Sequence, residues 1–272
     1  MEKKLTIFVC IKQVPGVSEV RIDPKTNTLV REGIPSIINP HDKHAIELAL
    51  SIKEHHGADV IALSMGPPQA EQVLREALAM GVDNAFLLTD RSFAGADTLA
   101  TSYTLSLAIK KLLMEKNEFE KYLVICGTQA IDGNTAQVGP ELAEELGIPQ
   151  ITYVQKFELK GNKIYVERTF KPEQIVIIET KLPALISVLK EINKPRYPIL
   201  SGIVHAFQKK KVSYLNADDL NADKTKIGLN GSMTEVWKIY IPERKGEHLI
   251  LKGSSEEISK ELYVNLKKDK VL

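Results

Sequence analysis

The stretch Tyr122–Gly139, YLVICGTQAIDGNTAQVG, contains the structural unit on which the whole chain is built. Its first part, Tyr122–Cys126, is an apolar run that predicts a strand covered on both faces. The polar loop Gly127–Gly139 follows, and after it comes a helical pattern that ends at Gly147. A loop that joins a strand to a helix presents backbone N–H groups at the positive end of the helix dipole, which favours a phosphate or pyrophosphate. We therefore expect this loop to be the centre of the functional region.

Apolar runs and helical patterns alternate in the same way before this stretch. Strands are predicted at Leu5–Ile11, Val60–Leu63 and Ala85–Leu88. Helices are predicted to begin at Pro40 and at Gln69, and a third, long helix is predicted to be capped by Asp97 or Thr98. Asn39 suits the capping position of the first of these helices, and Asp42 lies near its positive end. The alternation predicts an α/β fold with a parallel-sheet, Rossmann-like nucleotide-binding domain.

The pattern changes after Gly147. Three alternating runs separated by short turns predict a β-meander over about residues 150–180, and Ala184–Leu189 is expected to return to the main sheet. Turn residues within 17–38 predict a polar hairpin. From Lys209 onward packing signals are sparse, apart from a helical stretch at Glu256–Leu266. We predict an α/β domain over residues 1–208 and a C-terminal extended arm over 209–272 that packs on another chain.

Composition excludes several classes of function. With 36 basic and 35 acidic residues the net charge is +1, so no overall field favours nucleic acid or a membrane surface. The two cysteines, Cys10 and Cys126, have no metal-binding or disulfide-framework spacing. The apolar run near the N-terminus is too short for a signal peptide or a membrane span. We expect a cytoplasmic protein that neither binds nucleic acid nor inserts into a membrane.

Four loops are expected at the carboxyl ends of the parallel strands, where ligands bind in such sheets. They are Lys12–Gly16, Met65–Pro68, Thr89–Asp97 and Gly127–Gln137, all rich in glycine, proline or small polar residues. Neither a phosphate-transferring P-loop nor the dinucleotide fingerprint GxGxxG after the first strand is present, and no catalytic triad is evident. Loops of this kind also occur for packing alone. The pattern favours a nucleotide site whose cofactor supplies the chemistry of electron or hydride transfer.

Five blocks of the sequence resemble the beta subunit of electron-transfer flavoproteins, over nearly the whole chain. They are CIKQVPG at Cys10, INPHDKHAIELAL at Ile38, SMGPPQAEQVLREALAMG at Ser64, CGTQAIDGNTAQVGP at Cys126 and KLPALISVLKEINKPRY at Lys181. The resemblance implies a heterodimer with an alpha subunit that carries FAD, and an arm that embraces that subunit. It also implies electron exchange with an acyl-CoA dehydrogenase-type flavoenzyme.

The loop residues distinguish two branches of that family. In one, the beta subunit holds AMP as a structural nucleotide and the loop reads roughly AIDDD. In the electron-bifurcating branch it binds a second FAD that accepts hydride from NADH. Here the loop reads Ala130-Ile131-Asp132-Gly133-Asn134, and both it and TDRSFAGADT at Thr89–Thr98 resemble the bifurcating branch. That resemblance implies a subunit of an NADH-oxidising oxidoreductase that sends one electron to ferredoxin or flavodoxin and the other to the alpha-subunit FAD.

The resemblance also implies two sets of site residues. The expected cofactor contacts are Cys10, Asn39, Asp42, Met65, Gly66, Ala96, Asp97, Thr98, Gly127, Thr128, Gln129, Asp132, Gly133, Asn134, Thr135, Ala136, Gln137, Val138 and Gly139. The expected partner-docking residues are Pro195, Arg196, Tyr197, Ile199 and Leu200, with Leu200 as the anchor.

Several of these residues have a simpler interpretation. The cysteines and Met65 suit a buried core, Asp97, Thr98, Asn134 and Thr135 suit helix caps, and Leu200 could be covered by its own domain. The run Lys209–Lys211 is typical of a solvated surface. The alternative functions are an AMP-holding electron carrier without bifurcation and a nucleotide-binding module without a redox role.

Overall fold

The computed structural model describes residues 4–16, 36–117, 119–171, 174–237 and 249–271. The strands are β1 (Thr6–Cys10), β2 (Gln13–Pro15), β3 (Ser36–Ile38), β4 (Asp59–Met65), β5 (Asn84–Leu88), β6 (Tyr122–Gly127), β7 (Gln150–Lys160), β8 (Lys163–Lys171), β9 (Gln174–Lys181), β10 (Ala184–Val188) and β11 (Val212–Leu215). The helices are α1 (Pro40–His56), α2 (Glu71–Met80), α3 (Thr98–Lys116), α4 (Val138–Leu146), α5 (Leu200–Gln208) and α6 (Ser255–Lys268).

The main sheet has nine strands in the order β11-β5-β4-β1-β6-β10-β7-β8-β9. The pairings from β11 to β7 are parallel, and β7, β8 and β9 form an antiparallel meander. The predicted α/β fold with a parallel sheet is therefore confirmed, as are the meander and the return of the 184–189 segment to the sheet. Because the chain runs outward from β1 to β4 and β5 and then crosses to β6, the strand order reverses beside β1, which creates a ligand crevice.

Side chains of β1 show why the sheet is covered on both faces. Ile7 and Val9 belong to the apolar core beneath α1 and α2, whereas Phe8 and Cys10 belong to the core beneath α3 and α4. All of these strand residues are buried. An uninterrupted apolar run is the pattern expected of such a strand, since both of its faces leave water.

A short ribbon connects β1 to α1. Strand β2 pairs antiparallel with β3, so the ends of the predicted polar hairpin lie side by side. Residues 17–35, which carry its predicted turns, lie outside the described residues. The ribbon brings the chain back to Asn39 at the start of α1.

Helix α5 is an element that the sequence patterns do not predict. Arg75 of α2 donates from Nη1 to the backbone oxygens of Ala206 and Lys210, at 2.6 and 2.7 Å, and so satisfies carbonyls at the end of α5. Lys210 in turn donates from Nζ to the backbone oxygen of Val82. The interpretation of Lys209–Lys211 as a purely solvated run is thus wrong at Lys210.

The chain divides into two compact units, Met1–Trp237 and Lys238–Leu272. The first unit extends past residue 208 because β11 pairs with β5. In the second unit α6 begins with a capping box formed by Ser254 and Glu257, as its sequence favours. Among the described residues, no helix combines the length and apolarity that crossing a membrane requires.

Candidate functional site

The first turn of α1 holds the loops that follow β1 and β6. The Asp42 carboxylate accepts hydrogen bonds from the backbone N–H of Lys12 at 2.8 Å and of Gly127 at 3.2 Å. Asn39 donates from Nδ2 to the backbone oxygen of Gln129 at 2.9 Å and accepts from the backbone N–H of Ile131 at 3.2 Å. Asp42 and Asn39 are both buried. The two side chains therefore fix the floor of the crevice.

This arrangement changes the expected role of Asn39. Its side chain makes no capping bond to α1, although its backbone oxygen accepts from Asp42 and Lys43 in the first turn. The amide instead satisfies one donor and one acceptor of the loop after β6 in a partly buried setting, where an unpaired backbone group lowers stability. The interpretation of Asn39 as a side-chain cap is wrong for this physical reason.

Asp42 is an unusual carboxylate. Its removal from water raises its pKa to about 7, even though the hydrogen bonds from Asn39, Lys12 and Gly127 favour the ionised form. Next to it, Cys10 and Cys126 are in-register partners on β1 and β6, and both are buried. The hydrogen bond between the two thiols and their burial raise the pKa of Cys126. The cysteines thus occupy the buried strand ends that their simpler interpretation describes, and contact with a nucleotide stays a prediction for them.

Gly127 is required by close packing. A Cβ atom at this position would lie 2.7 Å from both the backbone carbonyl carbon and the Cβ of His41, and would overlap the Asp42 carboxylate. The first turn of α1 can therefore approach β6 only because residue 127 has no side chain. Thr128, which comes next, donates from its backbone N–H and from Oγ1 to the oxygen of Val188. That buried side chain supports the loop from below.

Residues 131–135 and 137 of the loop after β6 are exposed. Lys12 Nζ bridges to the Asp132 carboxylate at 2.8 and 2.9 Å, which joins this loop to the one after β1. Gln129 Nε2 donates to Asn134 Oδ1 at 3.2 Å. Asn134 and Ala136 have positive φ angles, of 52° and 55°. Alternating backbone conformations of this kind turn successive N–H groups toward one side, as in anion-binding nests.

Gly133 differs from Gly127. Its φ is not in the left-handed region, and no atom of the described chain lies within 4 Å of where its Cβ would be. Neither backbone strain nor internal packing therefore requires glycine at position 133. A side chain here would extend into the space over the loop.

The loop after β4 is the third wall of the crevice. Gly66 donates from its backbone to Leu88, and its Cβ position lies 3.1 Å from the Cβ of Ala70, so a larger residue would disturb the first turn after the loop. Met65 is half-buried and packs against the core beneath α3. Gln13 Nε2 donates to the backbone oxygen of Gln69 at 3.2 Å, which ties this wall to the loop after β1.

The loop after β5 is held by a segment that the sequence did not indicate. Asp97 caps α3 by accepting from Ala100 N at 3.0 Å. Its second oxygen accepts from the backbone N–H groups of Met233 and Thr234 at 2.8 and 3.0 Å, and Ser232 Oγ accepts from the N–H of Asp97. Partial burial opposes ionisation, but these bonds keep the pKa of Asp97 below its usual value. Its carboxylate is thus occupied by backbone donors.

Thr98 is likewise used within the protein, since its Oγ1 donates to Glu141 Oε1 of α4 at 3.1 Å. Ala96 lies in the same loop and is partly exposed. Cofactor contact stays a prediction for Ala96, Asp97 and Thr98. The sequence of the 232–234 segment contains a serine and a threonine near two glycines. That pattern is too common to predict a contact between this segment and Asp97.

The predicted docking residues lie at the start of α5 and before it. Tyr197, Ile199 and Leu200 are 90%, 69% and 78% exposed, so the described chain does not cover Leu200. The simpler interpretation, that its own domain buries Leu200, is wrong in this structure. Arg196 behaves differently because its guanidinium forms ion pairs with Glu47 and Glu54 of α1.

The sequence also matches a known protein family. A model of the electron transfer flavoprotein domain matches residues 26–220. The chain belongs to the electron transfer flavoprotein family.

Its relatives also indicate which subunit of the flavoprotein this chain is. It is 54% identical over 264 residues to the electron transfer flavoprotein subunit beta of Thermoanaerobacterium thermosaccharolyticum, which covers 96% of this chain and 98% of that one. It is 49% identical to the subunit beta of Clostridium acetobutylicum, with 97% and 99% covered. It is 44% identical to the caffeyl-CoA reductase-Etf complex subunit CarD of Acetobacterium woodii, with 98% and 100% covered. The chain is therefore a beta subunit, which implies an alpha-subunit partner.

The outer part of the crevice presents backbone donors of the kind that bind anions. Within the described residues, the backbone N–H groups of Thr135, Ala136 and Gln137 have no intramolecular acceptor. Lys12 balances the charge of Asp132, so the exposed loop does not repel an anion. In the same described part of the chain, no three His, Cys, Asp or Glu side chains form a group that could hold a metal ion. These features fit a diphosphate bound by backbone amides at the start of α4.

Proposed function

We propose that this beta subunit binds FAD in the crevice, accepts hydride from NADH there and bifurcates the electrons. One electron goes to ferredoxin or flavodoxin, and the other goes through the alpha-subunit FAD to an acyl-CoA dehydrogenase-type flavoenzyme. FAD supplies the conversion of a hydride into single electrons, which no side chain of this chain can perform. The relative that is a subunit of a caffeyl-CoA reductase-Etf complex supports a partner that acts on acyl-CoA compounds.

Gly133 is the observation that carries this proposal. Since neither its backbone conformation nor its packing requires glycine, the missing side chain leaves room above the loop. An aspartate there would add bulk and a negative charge beside the free N–H groups of Thr135–Gln137. Such a charge would oppose a diphosphate and a ligand larger than AMP.

In this proposal the residues of the chain act by placement. Asn39 and Asp42 hold the loops after β1 and β6 at a fixed separation, and Lys12 and Asp132 join the outer parts of the same loops. The amides of Thr135–Gln137 would hold the diphosphate. The loop after β5, fixed by Asp97, would lie beside the flavin and the nicotinamide. A rigid crevice of this kind holds the reacting groups in a fixed geometry and lowers the ordering cost of binding.

We expect Gly133→Asp to remove FAD from the beta subunit in the complex with the alpha subunit. An added charge a few ångströms from a diphosphate costs about 2 kcal/mol, or about 30-fold in affinity. The measurement is the FAD content of the purified complex, with the bleaching of its flavin spectrum by NADH. Gly133→Ala is the matched control, because no atom of the described chain lies within 4 Å of the added Cβ. Equal FAD content and equal bleaching in wild type, Gly133→Ala and Gly133→Asp would contradict the proposal.

A further inference from the structure

The segment from Asn193 to Leu200 is attached to the outer side of α1. The Arg196 guanidinium donates from Nε to Glu47 Oε2 at 2.8 Å and from Nη2 to Glu47 Oε1 at 2.9 Å, a two-pronged ion pair. The backbone N–H of Arg196 also donates to Glu47 Oε2, at 2.9 Å. Nη1 and Nη2 donate to the two carboxylate oxygens of Glu54. Both carboxylates lie on α1, and Glu47 is the more buried of the two.

A second attachment lies three residues earlier. Asn193 Nδ2 donates to the backbone oxygen of His44 at 2.9 Å. The Nδ1 atom of His44 lies 3.0 Å from Asn193 Oδ1 and 3.2 Å from its backbone oxygen. The segment is therefore held at two points before its exposed part begins.

The orientation of Arg196 points to a different role from the direct contact that the resemblance implies for it. Its polar atoms are directed at α1, and the hydrogen bond from Arg196 lowers the pKa of Glu54. Tyr197, Ile199 and Leu200 come directly after it and are exposed. A guanidinium with two carboxylate partners on its own chain has few donors left for a second protein.

We propose that Arg196 is a positioning residue, which acts through Glu47 and Glu54 to hold Tyr197, Ile199 and Leu200 in the conformation that contacts the partner flavoenzyme. This inference rests on the electron transfer to a flavoenzyme in the proposed function and on the docking role that the resemblance implies for Leu200. The physical basis is the cost of ordering: a segment that is already fixed loses less conformational entropy when a partner binds it. Since Asp42 lies on the same helix and Asn39 directly precedes it, α1 also fixes the docking segment relative to the crevice.

The test uses the complete alpha–beta complex with an acyl-CoA dehydrogenase-type flavoenzyme as electron acceptor. Arg196→Ala is expected to raise the KM for that protein about tenfold and to leave kcat within about twofold. Leu200→Ala, which removes the contact itself, is expected to raise KM by about 30-fold. Lys194→Ala is the control, because it removes a positive charge from the same segment at an exposed side chain. Its KM is expected to stay within about twofold of wild type.

A double-mutant cycle with Glu47→Gln separates positioning from direct contact. If Arg196 acts through Glu47, Arg196→Ala raises KM much less in the Glu47→Gln background than in wild type. Fully additive effects would overturn the inference, as would an Arg196→Ala effect no larger than that of Lys194→Ala. Amide hydrogen exchange of residues 194–199 in the complex gives a readout that does not depend on the partner. Arg196→Ala is expected to reduce protection there, and unchanged protection would overturn the inference.

Failure of the docking role has a different signature. In that case Leu200→Ala leaves KM unchanged, and no residue could then position Leu200 for docking. A loss of exchange protection in Arg196→Ala would still support Arg196 as the residue that holds the segment. An unchanged KM for Arg196→Ala together with a raised KM for Leu200→Ala would support docking and overturn the inference.

Discussion

Gly127→Ala is expected to destabilise the protein by about 3 kcal/mol and to empty the crevice of the nucleotide proposed to bind there. The added Cβ would lie 2.7 Å from backbone and side-chain atoms of His41 and would overlap the Asp42 carboxylate. These atoms belong to the first turn of a long helix, which cannot move locally. Helix α1 would have to shift away from β6, and the hydrogen bonds of Asn39 and Asp42 to the loop would be lost.

The measurement is the melting temperature of the alpha–beta complex together with its nucleotide content. A loss of about 3 kcal/mol in stability corresponds to a decrease in the melting temperature of about 5 °C or more. Gly133→Ala is the control, because it adds the same methyl group to the same loop without a clash. If the two variants had the same melting temperature and the same nucleotide content, the close approach of α1 to β6 would not determine the structure of the crevice.

Asp42→Asn is expected to change how stability depends on pH. The pKa of Asp42 is raised from 3.8 to about 7 in the folded chain. A raised carboxyl pKa contributes stability below the unfolded value, and this contribution is lost as pH rises through the folded value. Wild type should therefore lose up to about 4 kcal/mol from this residue between pH 4 and pH 7, a change of about three pKa units. Asparagine does not titrate, so the variant should lack this dependence.

The asparagine also has a destabilising effect at every pH, because it loses a hydrogen bond that Asp42 makes. Its single oxygen can accept from only one of the Lys12 and Gly127 N–H groups, which leaves the other unpaired at a cost of about 1–3 kcal/mol. The variant should melt below wild type at pH 5, and the difference should shrink or reverse by pH 8. Melting curves of both complexes across this range test the prediction. A constant difference in melting temperature would mean that Asp42 is ionised throughout and that its hydrogen bonds outweigh its burial.

Local patterns were sufficient to predict most of the elements that form the crevice. The apolar run before Gly127 marks a strand that is buried on both faces, and Gly147 ends the following helix with φ of 66°. Asp97 caps α3, as aspartate at that position favours. Each of these features depends on residues close together in the chain, so the sequence carries the signal directly.

Long-range hydrogen bonds explain what the sequence could not indicate. Asn39 precedes a helix and looks like a cap, but its partners are 90 and 92 residues away in the loop after β6. Asp97 likewise accepts hydrogen bonds from Met233 and Thr234, which follow the last strand, β11, along the chain. Periodicity and turn chemistry describe neighbours along the chain and contain no information about such pairs.

Helix α5 shows a different limit. Its outward face carries Leu200 and Phe207, a helical spacing that could have been recognised. Its inward face, however, depends on Gly202, whose Cβ would clash with the backbone oxygen of Ala79 in α2. A glycine in the first turn argues against a helix by propensity, and only the close packing of α5 on α2 explains its presence.

The nucleotide content of this chain purified with its alpha subunit tests the central proposal most directly. Nucleotides are released by denaturation of the complex, separated and counted against protein, and the visible spectrum is recorded with and without NADH beforehand. We predict two FAD per alpha–beta pair, no AMP, and bleaching of the flavin spectrum by NADH. One FAD with one AMP, and a spectrum that NADH leaves unchanged, would contradict the proposal and make the Gly127–Gly139 loop a clamp for a structural nucleotide.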